Sequence, residues 1–137
     1  MVFYERRTIM EFECLLDGFN RAIEKPMKFT YKVNMDDLFN RPTRAMVKSV
    51  DDQAVLLLHN ADKILDVCKS FETEVDRMGV LFTPEQRKRF NNALESARQK
   101  SREHRAQWRI IYKQIQYLNS QLDCSERDYK NNIMLNR

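Results

Sequence analysis

The chain of 137 residues carries a formal net charge of +4, with 32% charged residues but only two glycines and three prolines. This composition is typical of a mostly helical protein with few turns. No apolar run approaches the ~20 residues of a membrane span, so we expect no transmembrane segment. The three cysteines are widely spaced and no signal-peptide pattern begins the chain, so we expect free thiols and an intracellular location, cytoplasmic or nuclear.

The spacing of apolar residues in the N-terminal segment predicts a helix over residues 2–24. Its large apolar residues recur three or four positions apart, which places them on one helical face: Ile9, Phe12, Leu16, Phe19 and Ile23. Pro26 is expected to end this helix.

An irregular connector is expected over residues 26–42. Phe29, Tyr31 and Val33 alternate with polar residues, but no second strand candidate exists to pair with them. We therefore interpret the segment as an extended connector that lays these side chains on a helical bundle. Asn34 is placed to cap a short helical turn over 35–39, and Pro42 marks the entry to the next helix.

Two apolar ladders follow, and they mirror each other across a short loop. The gaps along each ladder alternate between three and four residues, and the numbers of facing residues add up to 165. The first ladder is Val47, Val50, Ala54, Leu57, Ala61, Ile64, Cys68, Phe71, Val75 and Met78; the second is Phe90, Leu94, Ala97, Ser101, His104, Trp108, Ile111, Ile115, Leu118 and Leu122. This pattern predicts a long antiparallel coiled-coil-like hairpin of helices at about 43–78 and 84–123.

Local signals at the loop agree with the hairpin. Gly79 suits the position just past a helix end, and the sequence from Thr83 to Gln86 predicts a capping box with Pro84 as the first helical residue. Between these signals, Val80, Leu81 and Phe82 put three apolar side chains in the turn. We interpret them either as a partner-binding contact or as side chains that fold down onto the helices.

The remaining organisation is one domain over residues 1–123, followed by a C-terminal tail or short helix at 124–137. The hairpin and the N-terminal helix together predict an all-α three-helix bundle. Apolar residues flank the ladders at the end away from the turn, on the first long helix at Val55, Leu56, Leu58 and Leu65 and on the second at Ile110 and Tyr117. We therefore expect the N-terminal helix to pack at that end.

Charge is divided between the two long helices. Residues 51–76 have a net charge of −5, whereas residues 86–113 have a net charge of +7. Four arginines of the second helix recur at gaps of four, three and four and therefore share one stripe: Arg98, Arg102, Arg105 and Arg109. Either the stripe binds an anionic partner, or its stems cover Leu58 and Leu65 while its heads meet Glu5, Glu11, Glu13 and Asp17 of the N-terminal helix.

No residue pattern points to catalysis. His104 and Ser101 lie within the second ladder, where a polar pair usually fixes packing register rather than binding a ligand. The chain has no cysteine–histidine spacing for a metal, no glycine-rich phosphate loop and no nucleophile–base pair. We therefore expect no enzyme activity, no metal, no cofactor and no small-molecule substrate.

The hypothesis that remains is a non-enzymatic helical protein-interaction module, an adaptor or assembly subunit. Its expected partner is another protein or a second copy of the chain. The contacts expected to bind it are the turn residues Val80, Leu81 and Phe82 and the arginine stripe. The alternative is binding of nucleic acid or another anionic surface through the basic helix 86–113.

Overall fold

The structure is a computed structural model that describes residues 2–32, 35–78 and 82–135, without the side chains of 2–10, 35, 37 and 135. Within these ranges the helices are α1 (Val2–Lys28), α2 (Met35–Asn40), α3 (Arg44–Met78) and α4 (Pro84–Leu135), and there is no strand. The protein is all-α, and a hairpin of α3 and α4 with the N-terminal α1 forms the predicted bundle. None of the described helices has a stretch apolar and long enough to cross a membrane.

Side-chain caps determine where the two long helices begin. The Thr83 main-chain N–H donates to Gln86 Oε1 at 3.0 Å, and the Gln86 N–H donates to Thr83 Oγ1 at 3.1 Å, which confirms the predicted capping box. At the start of α3, the Met46 N–H donates to Thr43 Oγ1 at 3.2 Å. Thr43 is therefore a second cap, which was not among the predicted ones.

Two helix ends differ from the prediction. Helix α1 continues through Pro26 to Lys28, because a proline in the last turn removes only one main-chain donor and leaves the rest of that turn intact. Helix α4 continues past residue 123 to Leu135, so the expected tail is part of the helix as far as that residue. Residues 123–134 are exposed throughout.

The chain forms two compact units. The first unit comprises Met1–Phe29 and His59–Arg105, and the second comprises Thr30–Leu58 and Ala106–Arg137. The first unit contains α1 and the half of the hairpin that carries the turn. Its core joins side chains of α1 to side chains of both long helices: Phe12, Leu16, Phe19, Ile23, Ile64, Cys68, Phe82, Phe90, Leu94 and Ala97.

The position of α1 corrects the prediction that it packs at the end away from the turn. The ring of Phe19 lies 5.5 Å from that of Phe71 and 5.5 Å from that of Phe90, centroid to centroid. Val67 and Ala93 pack against the same cluster at the edges of the hairpin. Helix α1 therefore packs where the hairpin carries the phenylalanine rings of Phe71, Phe82 and Phe90, because aromatic clustering there buries apolar area.

The second unit has a narrower core. It buries hairpin ladder residues from α3 and α4 together with one leucine of α2: Val47, Val50, Ala54, Leu57, Ile111, Ile115, Leu118 and Leu38. The flanking residues that were expected to meet α1 instead remain largely exposed, as at Val55, Leu56, Ile110 and Tyr117. All the large apolar side chains that are exposed among the described ones lie in this unit.

Candidate interaction surface

Of the three apolar turn residues, the structure describes only Phe82, and this residue is buried. Val80 and Leu81, like Gly79, lie outside the described residues. Phe82 is only 7% exposed and meets Phe12 edge to face, with 5.5 Å between ring centroids. The Phe82 side chain therefore folds down onto the helices, which is the second of the two alternatives, and the ring of Phe12 on α1 covers it.

Three arginines of the predicted stripe lie in the first unit, and each has an intramolecular partner. Arg98 Nη2 lies 2.7 Å from Glu72 Oε2, and Arg102 Nη2 lies 2.7 Å from Glu95 Oε1. Arg105 forms an ion pair with Asp62. The heads of these arginines therefore meet acids of α3 and α4, whereas the second alternative drawn from the sequence expected acids of α1.

The acids of α1 form a different set of contacts. Glu13 Oε1 lies 2.7 Å from Arg89 Nη1, and Asp17 pairs with Arg21 one turn along α1. Arg89 also lies over the ring of Phe12, 5.7 Å from its centroid. Arg89 lies near the start of α4, so these two contacts help to hold α1 against α4.

Arg109, the fourth arginine, lies in the second unit and makes no hydrogen bond or ion pair with any described residue. Tyr112 follows it on the same stripe and is 43% exposed. The Tyr112 ring stacks on that of Trp108, with 5.2 Å between centroids and 19° between planes. Trp108 was expected to be a core residue because it belongs to the second ladder, but it is only partly buried, and its ring stacks on the exposed ring of Tyr112.

An open groove lies between α3 and α4 beside Tyr112. We call it the Tyr112 groove; it is lined by Arg44, Val47, Lys48, Asp51, Tyr112, Ile115, Gln116 and Asn119. Val47 and Ile115 are buried ladder residues, so the floor is apolar. The rim is polar and carries two cations and one carboxylate.

One of the rim cations is held in place by α4. Arg44 forms ion pairs with Asp123 and with Glu126, where Nε lies 3.0 Å from Oε1, and its Nη1 donates to Asn119 Oδ1 at 3.4 Å. The hydrogen bond from Arg44 lowers the pKa of Glu126 below its usual value, and the two acids raise the pKa of Arg44. Because the numbers of facing ladder residues add up to 165, Arg44 lies level with Gln121, between Asn119 and Asp123. The sequence therefore did contain the signal for this contact.

The two polar residues of the second ladder are bonded to main-chain groups. Ser101 Oγ donates to the carbonyl oxygen of Ala61 at 2.8 Å, and His104 Nε2 donates to the carbonyl oxygen of Pro26 at 3.0 Å. Both side chains are buried. No group of three metal-ligating side chains forms among the described residues. These contacts match the structural interpretation of the polar pair.

Comparison with known proteins adds no assignment, since no family model, no curated protein and no solved structure matches the chain.

Proposed function

We propose that the protein is a non-enzymatic helical interaction module whose second unit binds an amphipathic helix of another protein in the Tyr112 groove. The observation that carries this proposal is that Tyr112, whose ring stacks on that of Trp108, lines an open groove with an apolar floor. Tyrosine, tryptophan and arginine are the side chains most often responsible for binding energy at protein interfaces. Tyr112 and Trp108 are ordered against each other before binding, which reduces the entropy lost on association.

The distribution of apolar surface supports a binding role for the second unit. The first unit closes its core with α1, whereas the described side chains of the second unit leave several large apolar groups exposed. Concentrated apolar exposure of this kind is typical of a protein-interaction site rather than of a closed surface. A partner helix laid in the groove would cover the exposed part of Tyr112, above the buried side chains of Val47 and Ile115.

Charge favours a partner with acidic flanks. Lys48 on the rim and Arg109, three residues before Tyr112 on α4, have no ion-pair partner among the described residues, and residues 106–122 of α4 contain no acid. Asp51 is the single carboxylate of the groove lining. Complementary charge accelerates encounter and excludes wrong partners more than it adds affinity. An acidic amphipathic helix is therefore the partner that fits this surface.

The alternative of nucleic-acid binding has weaker support. Phosphate contacts need basic side chains whose charge is not already neutralised. Arg98, Arg102 and Arg105, which made the basic stripe attractive, are each paired with a carboxylate in the first unit. Displacing those carboxylates would oppose binding.

Variants of the groove test the proposal. Tyr112→Ala removes the outer ring of the stack and Arg109→Glu reverses the unpaired charge. Tyr129→Ala is the matched control, because Tyr129 is an exposed tyrosine of the same helix outside the groove. Proximity labelling in cells would compare the proteins captured by each variant, and the affinity of each candidate would then be measured with purified components.

The expected result is a partner that both groove variants lose and the Tyr129→Ala control retains. With purified components, Tyr112→Ala should weaken binding at least about tenfold, because truncation of a central aromatic anchor removes about 2 kcal/mol or more. Arg109→Glu should weaken binding because it sets a negative charge against the acidic partner. A set of captured proteins that is the same for the wild type and both groove variants would refute this placement of the site.

A further inference from the structure

Three charged side chains at the Tyr112 groove lack an opposite charge. Lys48 and Asp51 line the groove on α3, three residues apart, and neither forms an ion pair with a described residue. Arg109 has no partner among the described residues either, and its position three residues before Tyr112 places both side chains on one face of α4. A bound partner would therefore meet three charges that no other group in the described part of the chain neutralises.

The preceding cation of α3 shows the opposite arrangement. Arg44, four residues before Lys48, forms ion pairs with Asp123 and Glu126 of α4. Residues 106–122 of α4, which include the stretch level with Lys48, contain no acid. Lys48 is therefore unpaired because α4 supplies no carboxylate at its level, although its side chain lines the groove.

The three unpaired charges follow one another along the groove at distances that a bound helix can match. Because the numbers of facing ladder residues add up to 165, Arg109 lies level with residue 56 of α3. At 1.5 Å per residue, Asp51 then lies ~4.5 Å beyond Lys48 along the axis, and Arg109 lies ~12 Å beyond it. A partner helix covers these distances in about three and about eight residues, and residues at those separations lie within ~80° of the first one around the helix. All three can therefore face the groove.

The aromatic side chain lies inside this row of charges. By the same rule, Tyr112 is level with residue 53 of α3, between Asp51 and Arg109. An apolar residue about one turn on from the first charged residue of the partner would therefore lie beside the Tyr112 ring. The groove thus presents a positive charge, a negative charge, an aromatic ring and a second positive charge, in that order.

We propose that the groove selects its partner by an acid–base–acid pattern, with an acid at Lys48, a base at Asp51 and a second acid at Arg109. This inference rests on the proposed function, since it names the charge pattern of the helix bound in the groove. The two cations attract the acids and accelerate encounter. Asp51 determines specificity, because its carboxylate repels a helix that is acidic along its whole length.

Panning a display library of helical peptides about four turns long tests the pattern. The library is panned in parallel on the wild type and on Tyr112→Ala. Peptides enriched on the wild type alone should carry two acids about eight residues apart, with a base and an apolar residue between them. An otherwise identical peptide with glutamate in place of the base should bind the wild type at least about threefold more weakly.

Charge reversal then tests each contact by fluorescence anisotropy. Lys48→Glu should weaken the binding of an enriched peptide about three- to tenfold, and lysine in place of the peptide's first acid should restore the affinity. Asp51→Lys should have the same effect on the contact with the base, and glutamate in place of that base should restore it. The matched controls are Lys113→Glu and Asp52→Lys, at exposed positions of the second unit outside the groove, and both should bind the original peptide as the wild type does.

The proposed function and the charge pattern fail in different results. If peptides enriched on the wild type bind Tyr112→Ala equally well, the groove is not the binding site and both proposals are wrong. If Tyr112→Ala loses the peptides while Lys48→Glu and Asp51→Lys bind them with unchanged affinity, the groove is the site and only the charge pattern is wrong. Far-ultraviolet spectra and urea midpoints establish that each variant is folded.

Discussion

His104 of α4 donates a hydrogen bond of 3.0 Å from Nε2 to the main-chain carbonyl oxygen of Pro26 in the last turn of α1. Both residues are buried in the first unit. The carbonyl oxygens of a helix's last turn have no partner within the helix, so His104 acts as a C-cap supplied from another helix. The buried ring and the capped carbonyl hold the end of α1 against α4.

Removing this contact should destabilise the protein. We expect His104→Ala to lower the free energy of unfolding by about 2–4 kcal/mol, because it leaves both a cavity and an unsatisfied carbonyl. Urea denaturation followed by circular dichroism measures the change. The matched control is His59→Ala, because His59 is exposed and its truncation should stay within about 0.5 kcal/mol. Equal effects of the two substitutions would contradict the capping role.

Phe82 should behave as a core residue. Because its ring meets Phe12 edge to face in the buried cluster, we expect Phe82→Ala to destabilise the protein by about 3–5 kcal/mol. A double-mutant cycle with Phe12→Ala should give a coupling energy of about 0.5–1.5 kcal/mol. The control Phe39→Ala, at a partly exposed ring, should have a much smaller effect. If Phe82→Ala hardly changed the free energy of unfolding, Phe82 would again be a candidate for a partner contact.

Gly18 is a position where the protein should gain stability. A Cβ atom built there would lie 3.7 Å from Cε1 of Phe71, an ordinary van der Waals contact, and Gly18 is in the interior of α1. We therefore expect Gly18→Ala to stabilise the protein by about 0.5–1 kcal/mol, since alanine loses less backbone entropy in a helix. Gly18→Leu should be destabilising, because its longer side chain would overlap the Phe71 ring. Thermal unfolding of the two variants measures both effects, and stabilisation by leucine would contradict this packing.

The contact between Arg44 and Glu126 should make stability depend on pH. Arg44 lowers the pKa of Glu126 in the folded state below its ordinary 4.5, so the carboxylate contributes stability above that value. The contribution is lost as the pH falls through the depressed folded-state pKa. The difference in urea midpoint between wild type and Arg44→Ala should therefore be largest near neutral pH and shrink in acid. Arg41→Ala, at a neighbouring arginine outside this cluster, should show no such trend.

The three cysteines should differ in reactivity. Cys14 and Cys124 are exposed, whereas Cys68 is buried, and burial raises the pKa of its thiol. The thiolate is the reactive species. Cys14 and Cys124 should therefore react promptly with a disulfide reagent at neutral pH, whereas Cys68 should react only as the protein unfolds. A Cys14→Ser, Cys124→Ser variant isolates the slow phase. Prompt reaction of that variant would show that the core around Cys68 opens readily.

The sequence was most informative where regular periodicity determines structure. The facing rule paired Ala61 with His104 and Ile64 with Ser101, and all four residues are buried. It was least informative where the choice lies between competing surfaces. The apolar side chains of Ile110 and Tyr117 led to the prediction that α1 packs beside them. Helix α1 instead packs against the aromatic cluster around Phe90. Periodicity gives the face of a helix, not the relative energies of two places where that face can pack.

The candidate site was predicted only in part. The arginine stripe was correct as a geometric feature, but spacing within one helix does not reveal that Arg98 and Arg105 reach acids of α3. The stack of Trp108 on Tyr112 was missed because the ladder pattern assigned Trp108 to the core. Partly exposed aromatic residues at four-residue spacing beside an unpaired arginine would have been the signal for it.

The contact between Phe12 and Phe82 has a consequence for synthesis on the ribosome. The chain must extend by 70 residues after Phe12 before the ring that covers it has been made. During that interval the core around the apolar face of α1 is incomplete. Its last members to be translated are Phe82, Phe90, Leu94 and Ala97. Contacts so distant along the chain slow folding and prolong the exposure of apolar surface. The apolar face of α1 is therefore left uncovered on the nascent chain until the first turns of α4 have been made.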